Sequence, residues 1–156
     1  MSGSKIFEIK SFSADTTRQL GRFLAHLLAN ASFSGKRSLV VFLKGDLGSG
    51  KTTFVLGFLK FFGIKPLAAS PTFVLLKHYS PKRKKNFPFS DIYHLDAYRL
   101  SSAKDLKPLG FEKIINSPSL IFIEWPENLK GLKVKEKIVI EFKYGSKENE
   151  RIISFS

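Results

Sequence analysis

The clearest chemistry lies in eight consecutive residues, Gly45-Asp46-Leu47-Gly48-Ser49-Gly50-Lys51-Thr52. They fit G-x-x-x-x-G-K-[ST], the spacing of a phosphate-cradling loop. Glycines at 45, 48 and 50 let the backbone wrap around phosphate oxygens and turn its N–H groups inward, so Asp46, Leu47, Gly48, Ser49 and Gly50 meet the anion with main chain. A helix beginning at Lys51 aims its positive end at the same charge. Lys51 can reach the β- and γ-phosphates, and the Thr52 hydroxyl can ligate Mg²⁺. The pattern therefore points to a nucleoside triphosphate with Mg²⁺. The bland alternative is a Gly-rich strand–helix turn carrying an exposed lysine.

Hydrolysis also needs an acid near the metal, usually at the end of a neighbouring buried strand. Glu124 follows the apolar run Leu120-Ile121-Phe122-Ile123 and is expected at the carboxyl edge beside the loop, on Mg²⁺ directly or through water. Asp96 closes the stretch Asp91–Asp96, which alternates like a strand with one wet face, and is expected further from the sheet centre. Its assigned task is to orient water or sense the γ-phosphate. Ser70-Pro71-Thr72 reads either as a switch segment or as a turn entering a strand. Trp125 reads as a core anchor or as a stacking residue beside the site, and Arg99 as a charge-stabilising arginine or an ion-pair partner. Lys51, Asp96 and Glu124 make up the expected catalytic set.

These residues need a scaffold. Apolar Leu20, Phe23, Leu24, Leu27 and Leu28 have the spacing of an amphipathic helix over 14–30, capped by Ser13 or Asp15. Ser38–Leu43 reads as a strand buried on both faces, and Lys51–Phe62 as the helix after the loop, with Gly63 past its end. Further strands are expected at 5–12, 72–79, 91–96 and 120–123. One or two short helices fall within 101–116, broken at 108–110, and a hairpin pairs 134–144 with 151–155. The expected fold is an α/β phosphate-loop NTPase domain. It has a central, mostly parallel sheet flanked by helices, an antiparallel C-terminal hairpin, and a single unit over 1–156.

Composition narrows the field. The chain has 156 residues, 43% of them hydrophobic, and no cysteine. That excludes disulfide scaffolds, cysteine–zinc sites and thiol catalysis. His26, His78 and His94 lie far apart without ligand-like spacing. No apolar run has the length of a membrane span, and the first twelve residues are too polar for a signal peptide, so the expected location is the cytoplasm. The net charge of +13 fits nucleic acid, nucleotides or an acidic partner, but twenty lysines against six arginines also fit a solvated Lys-rich surface. The basic run Lys82-Arg83-Lys84-Lys85 is the candidate contact for nucleic acid or an acidic surface. A guanine-reading [NT]-K-x-D element is missing, which disfavours a GTPase. A small-molecule kinase on the same fold and a basic nucleic-acid-binding module with a regulatory nucleotide remain as alternatives.

GDLGSGKTTF (45–54), SPTF (70–73), YHLDAYRL (93–100), LGF (109–111) and IEWPENL (123–129) come in the order and spacing of the TsaE family, also called YjeE, and the chain resembles that family from about residue 13 to 129. The resemblance implies a cytosolic bacterial ATPase that binds ATP and Mg²⁺ and hydrolyses slowly. It would serve threonylcarbamoyladenosine synthesis in ANN-decoding tRNAs, working with a TsaB–TsaD pair. It further implies phosphate contacts from Gly48 to Thr53, Mg²⁺ binding by Thr52 and Glu124, a catalytic role for Asp96, a functional role for Trp125 and a switch-like setting for Thr72. The chain departs from the family pattern in having Ser49 where alanine is common, a weakly acidic stretch after Leu100, and an unusually basic loop at 82–85.

Overall fold

The computed structural model describes residues 7–33, 36–66, 75–82 and 86–156. Seven strands form one sheet: β1 (Phe7–Ser11), β2 (Leu39–Lys44), β3 (Leu76–Tyr79), β4 (Asp91–Asp96), β5 (Ser119–Glu124), β6 (Lys137–Tyr144) and β7 (Arg151–Phe155), in the order β1-β7-β6-β2-β5-β4-β3. The central four, β6-β2-β5-β4, pair in parallel. β1 and β7 on one side and β3 on the other pair antiparallel. The sheet is thus mixed, parallel where apolar runs are buried on both faces and antiparallel toward its edges. β5 is buried along its whole length and β2 nearly so.

Two helices cover one face. α1 (Ala14–Ala29) starts at Ser13, whose side chain accepts from the Thr16 N–H, and ends at Asn30. α2 (Lys51–Phe61) follows the Gly-rich loop and closes at Phe62 and Gly63. The helices pack backbone to backbone. A Cβ added at Gly57 would lie 2.0 Å from the Arg18 carbonyl oxygen, and one at Gly21 2.0 Å from that of Phe54. Beneath them Val41, Leu43, Phe54, Phe58, Phe122 and Phe142 form a core from which water is excluded. Each such side chain contributes about 1.5–3 kcal/mol on burial.

The other face is covered by a 3₁₀ segment (Ala103–Leu109), the short helix α3 (Phe111–Ile115) and the chain around Leu129, which close over Val40, Leu95, Ile121 and Ile123. This layer corrects the reading of β4 as a strand with one wet face. Ile92 is buried toward α2 and Leu95 toward the 3₁₀ layer, so both faces are covered. The polar residues His94 and Asp96 share the α2 face two positions apart and both line a cleft there, His94 buried and Asp96 exposed. The hairpin strand begins at Lys137 rather than Val134. The preceding residues join the sheet differently, Glu136 accepting the Val40 N–H through its carbonyl at 3.1 Å while Val134 packs on the second core. The first residues of the strand expected at 72–79 lie outside the described residues.

Candidate functional site

The loop from Gly45 to Gly50 joins β2 to α2, and its geometry depends on its glycines. Gly50, which caps α2, has φ of 107°, a region that side-chain-bearing residues rarely adopt. Gly45 lies so close to β6 that a Cβ there would sit 2.5 Å from the Phe142 carbonyl oxygen. The loop is also tied to the hairpin, since the Tyr144 hydroxyl donates to the Leu47 carbonyl at 2.6 Å. Within the loop, Lys51 donates from Nζ to the carbonyls of Gly45 and, at 2.9 Å, Asp46. The same ammonium lies 4.3 Å from the centre of the Trp125 ring. Burial pulls the Lys51 pKa below its ordinary value, against the opposing pull of Glu124 and other acids. Ser49 Oγ is the one buried side-chain polar atom among the described residues with no partner.

Facing the loop are the ends of β4 and β5. Parallel register sets Glu124 beside Leu43 of β2 and beside Asp96 of β4. Glu124 is only 5% exposed. Its Oε1 accepts from the Thr52 hydroxyl at 2.7 Å and lies 2.8 Å from His94 Nε2. Burial raises the carboxyl pKa, but the His94 hydrogen bond and charge, the Thr52 hydroxyl and Lys51 together outweigh it and hold Glu124 below its ordinary value. Asp96 is exposed, and one of its carboxylate oxygens accepts the Tyr98 N–H at 3.0 Å.

Trp125, immediately after Glu124, has φ 58° and ψ 47°, a left-handed conformation that is an outlier for so bulky a side chain and costs on the order of 1–3 kcal/mol. The turn sends the chain from β5 into a 3₁₀ turn at Pro126–Asn128 and leaves the indole against Tyr98 at 5.1 Å.

The structure brings most of the expected residues into one cleft of about 510 Å³: Leu47, Gly48, Ser49, Gly50, Lys51, Thr52, Thr53, Asp96, Glu124 and Trp125 all line it, as does Arg99. Asp46 does not line it, because its contribution is the carbonyl that receives Lys51. Thr72 lies outside the described residues, as do Arg83, Lys84 and Lys85. Lys82 is exposed and borders a separate, smaller hollow with Lys65 and Tyr79. Sequence reasoning passed over His94, Lys77 and Tyr98, which also line the cleft. A signal for His94 was present: it stands two residues before Asp96 on a strand, hence on the same face.

A family model described as "Threonylcarbamoyl adenosine biosynthesis protein TsaE" matches residues 11–153. Three proteins named tRNA threonylcarbamoyladenosine biosynthesis protein TsaE illustrate the likeness. The Rickettsia felis protein is 38% identical over 141 residues, covering 90% of this chain and 74% of its own. That of Treponema pallidum is 31% identical over 142 residues, covering 91% and 95%. That of Haemophilus influenzae is 34% identical over 109 residues, covering 70% of this chain and 65% of its own. The match to a Rickettsia conorii relative likewise spans 61% of that protein. The crystal structure of Bacillus subtilis YdiB superposes with a TM-score of 0.68 at 26% identity, over 96% of this chain and 83% of that one.

Proposed function

This chain belongs to the TsaE family, and from that premise we propose that it is a slow, Mg²⁺-dependent ATPase acting as an accessory protein in threonylcarbamoyladenosine modification of tRNA. The observation that carries this reading is the Thr52–Glu124 hydrogen bond of 2.7 Å, which joins the phosphate loop to the acid at the end of the neighbouring parallel strand. In this reading residues 1–156 act as one phosphate-loop unit in the cytoplasm, its partner is a complex of the TsaB–TsaD type, and tRNA is engaged through that complex. Among the described residues no helix is long and apolar enough to cross a membrane.

The donor set fits Mg²⁺, which is usually held by one or two carboxylates together with substrate phosphates rather than by an all-protein cage. Thr52 gives its hydrogen to Glu124, so its oxygen lone pairs remain for a hard cation. When bound, Mg²⁺ would neutralise charge developing on the β- and γ-phosphates. The chain's own residues do the rest. The first N–H groups of α2, which lack intrahelical partners, bind phosphate oxygens. Lys51 exchanges the Gly45 and Asp46 carbonyls for β- and γ-oxygens. The unpartnered Ser49 hydroxyl adds a spare donor within the loop. Asp96 accepts a hydrogen from water and orients it toward the γ-phosphate. Trp125 bounds the cleft beside Lys51.

Thr52→Ala tests the assignment: Mg²⁺-dependent phosphate release should be lost, and unchanged release would remove Thr52 from the metal site. For the partner, a TsaB–TsaD pair should retain the chain on an affinity resin in the presence of ATP and release it without. Retention that ignores ATP would contradict a nucleotide-controlled accessory role.

A further inference from the structure

We infer that His94 is a positioning residue that fixes the Glu124 carboxylate for a divalent cation. The inference rests on the ATPase reading above and adds to it a second group on β4, beside Asp96. His94 and Glu124 are 8% and 5% exposed, and His94 Nε2 lies 2.8 Å from Glu124 Oε1. An ionised carboxylate only accepts, so the shared hydrogen belongs to Nε2. Glu124 therefore receives two donors on one oxygen, Thr52 from α2 and His94 from β4, and among the described residues no donor meets Oε2, which leaves it for a cation or its water.

The two donors are not equivalent. Thr52 is itself a proposed cation ligand, so its hydroxyl answers to the metal as well as to Glu124. Among the described residues, His94 is hydrogen-bonded to Glu124 alone. Register explains the residue type. His94 is paired with Phe122, two positions before Glu124, so its donor must reach diagonally across to the next strand. A serine would fall short, whereas an imidazole or a longer amide spans the gap. A buried glutamate has several rotatable bonds to order, and a donor independent of the cation fixes the carboxylate before the cation arrives.

The test measures ATP affinity by calorimetry on the full chain across a Mg²⁺ series, with EDTA as the zero point, for the wild type, His94→Ala and His94→Gln. Loss of an outer-shell partner typically weakens metal binding about 10- to 100-fold. The expected result is that His94→Ala keeps its affinity in EDTA but needs roughly 10- to 100-fold more Mg²⁺ to reach the tighter state, while His94→Gln returns most of the way to wild type. Should the alanine variant not fold, His94→Leu fills the space without a donor and takes its place. An unshifted Mg²⁺ midpoint overturns the inference. So does an equal loss of affinity with and without Mg²⁺ in both variants, which marks a packing role. If wild-type affinity for ATP is itself insensitive to Mg²⁺, the metal-dependent ATPase reading fails, and the inference with it.

Discussion

The loop wall of the cleft, from Leu47 to Thr53, presents a run of backbone amides with the Lys51 and Thr52 side chains at its end, whereas the acid wall at the ends of β4 and β5 presents side chains alone. The loop wall is contiguous in sequence and held by close contacts: Gly45 against Phe142, Tyr144 against the Leu47 carbonyl, and α2 pressed on α1 at Gly21 and Gly57. The acid wall is assembled from residues about thirty positions apart, Asp96 and His94 on β4 with Glu124 on β5, and depends on strand register. In the proposed function, the loop amides would bind phosphate whatever the state of the reaction, while the carboxylates would place the metal and water and so decide turnover. Trp125 stands where the two meet, its left-handed turn leading out of β5 and its ring under the Lys51 ammonium.

The division can be tested by how substitutions split affinity from turnover. Asp96→Ala should lower ATP turnover by about 100-fold while sparing ATP affinity. Parallel losses in both would make Asp96 part of the binding surface instead. Lys51→Ala should show the reverse emphasis, ATP affinity falling by roughly 10- to 100-fold, the equivalent of the 1.5–3 kcal/mol of a charged hydrogen bond. Equilibrium titration with ATP reads this directly. Gly57→Ala asks whether the loop wall depends on the packing of α1. The added Cβ meets the Arg18 carbonyl, so denaturant melts should show a loss of about 1–3 kcal/mol. A neutral effect would mean that the helices separate without cost.

The smallest effect concerns the hairpin that buttresses the loop. Glu150 is buried and pairs with Lys10 at 2.9 Å. Its carboxyl is held below its ordinary value by the Lys10 hydrogen bond first and by the Ser146 hydroxyl next. A carboxyl depressed on folding adds stability above its unfolded pKa and loses it as pH falls through the folded one. Glu150→Gln should therefore melt below wild type at neutral pH, with the gap closing as the pH drops beneath the ordinary carboxylate range. A gap that stays constant with pH would show that the charge of Glu150 contributes nothing.

The same division explains how much could be read from the sequence. The loop wall was legible from Leu47 to Thr53, because G-x-x-x-x-G-K-T encodes a local backbone path and nearby elements fix it, although Asp46, expected there too, does not line the cleft. Glu124 was legible because it follows an apolar run that reads as a buried strand and so falls at its carboxyl end, and Asp96 because it ends a strand. The face of His94 was legible from its spacing to Asp96, but its contact with Glu124 was not: the partner is thirty residues away, and only the pairing of β4 with β5 brings the two together. The alternation of Asp91–Asp96 was misread as a wet face because the covering layer comes from residues 103–129, which carry no periodic signal tying them to β4. The backbone contact of Gly21 and Gly57 likewise cannot be seen before the two helices are known to cross there.

The decisive measurement is phosphate release from saturating ATP by the isolated chain, with and without Mg²⁺, for wild type and Glu124→Gln. Release should be slow, should require Mg²⁺ and should fall by about 100-fold or more in the variant while ATP remains bound. Equal, Mg²⁺-independent release by both proteins would contradict a metal-dependent ATPase with Glu124 at its centre.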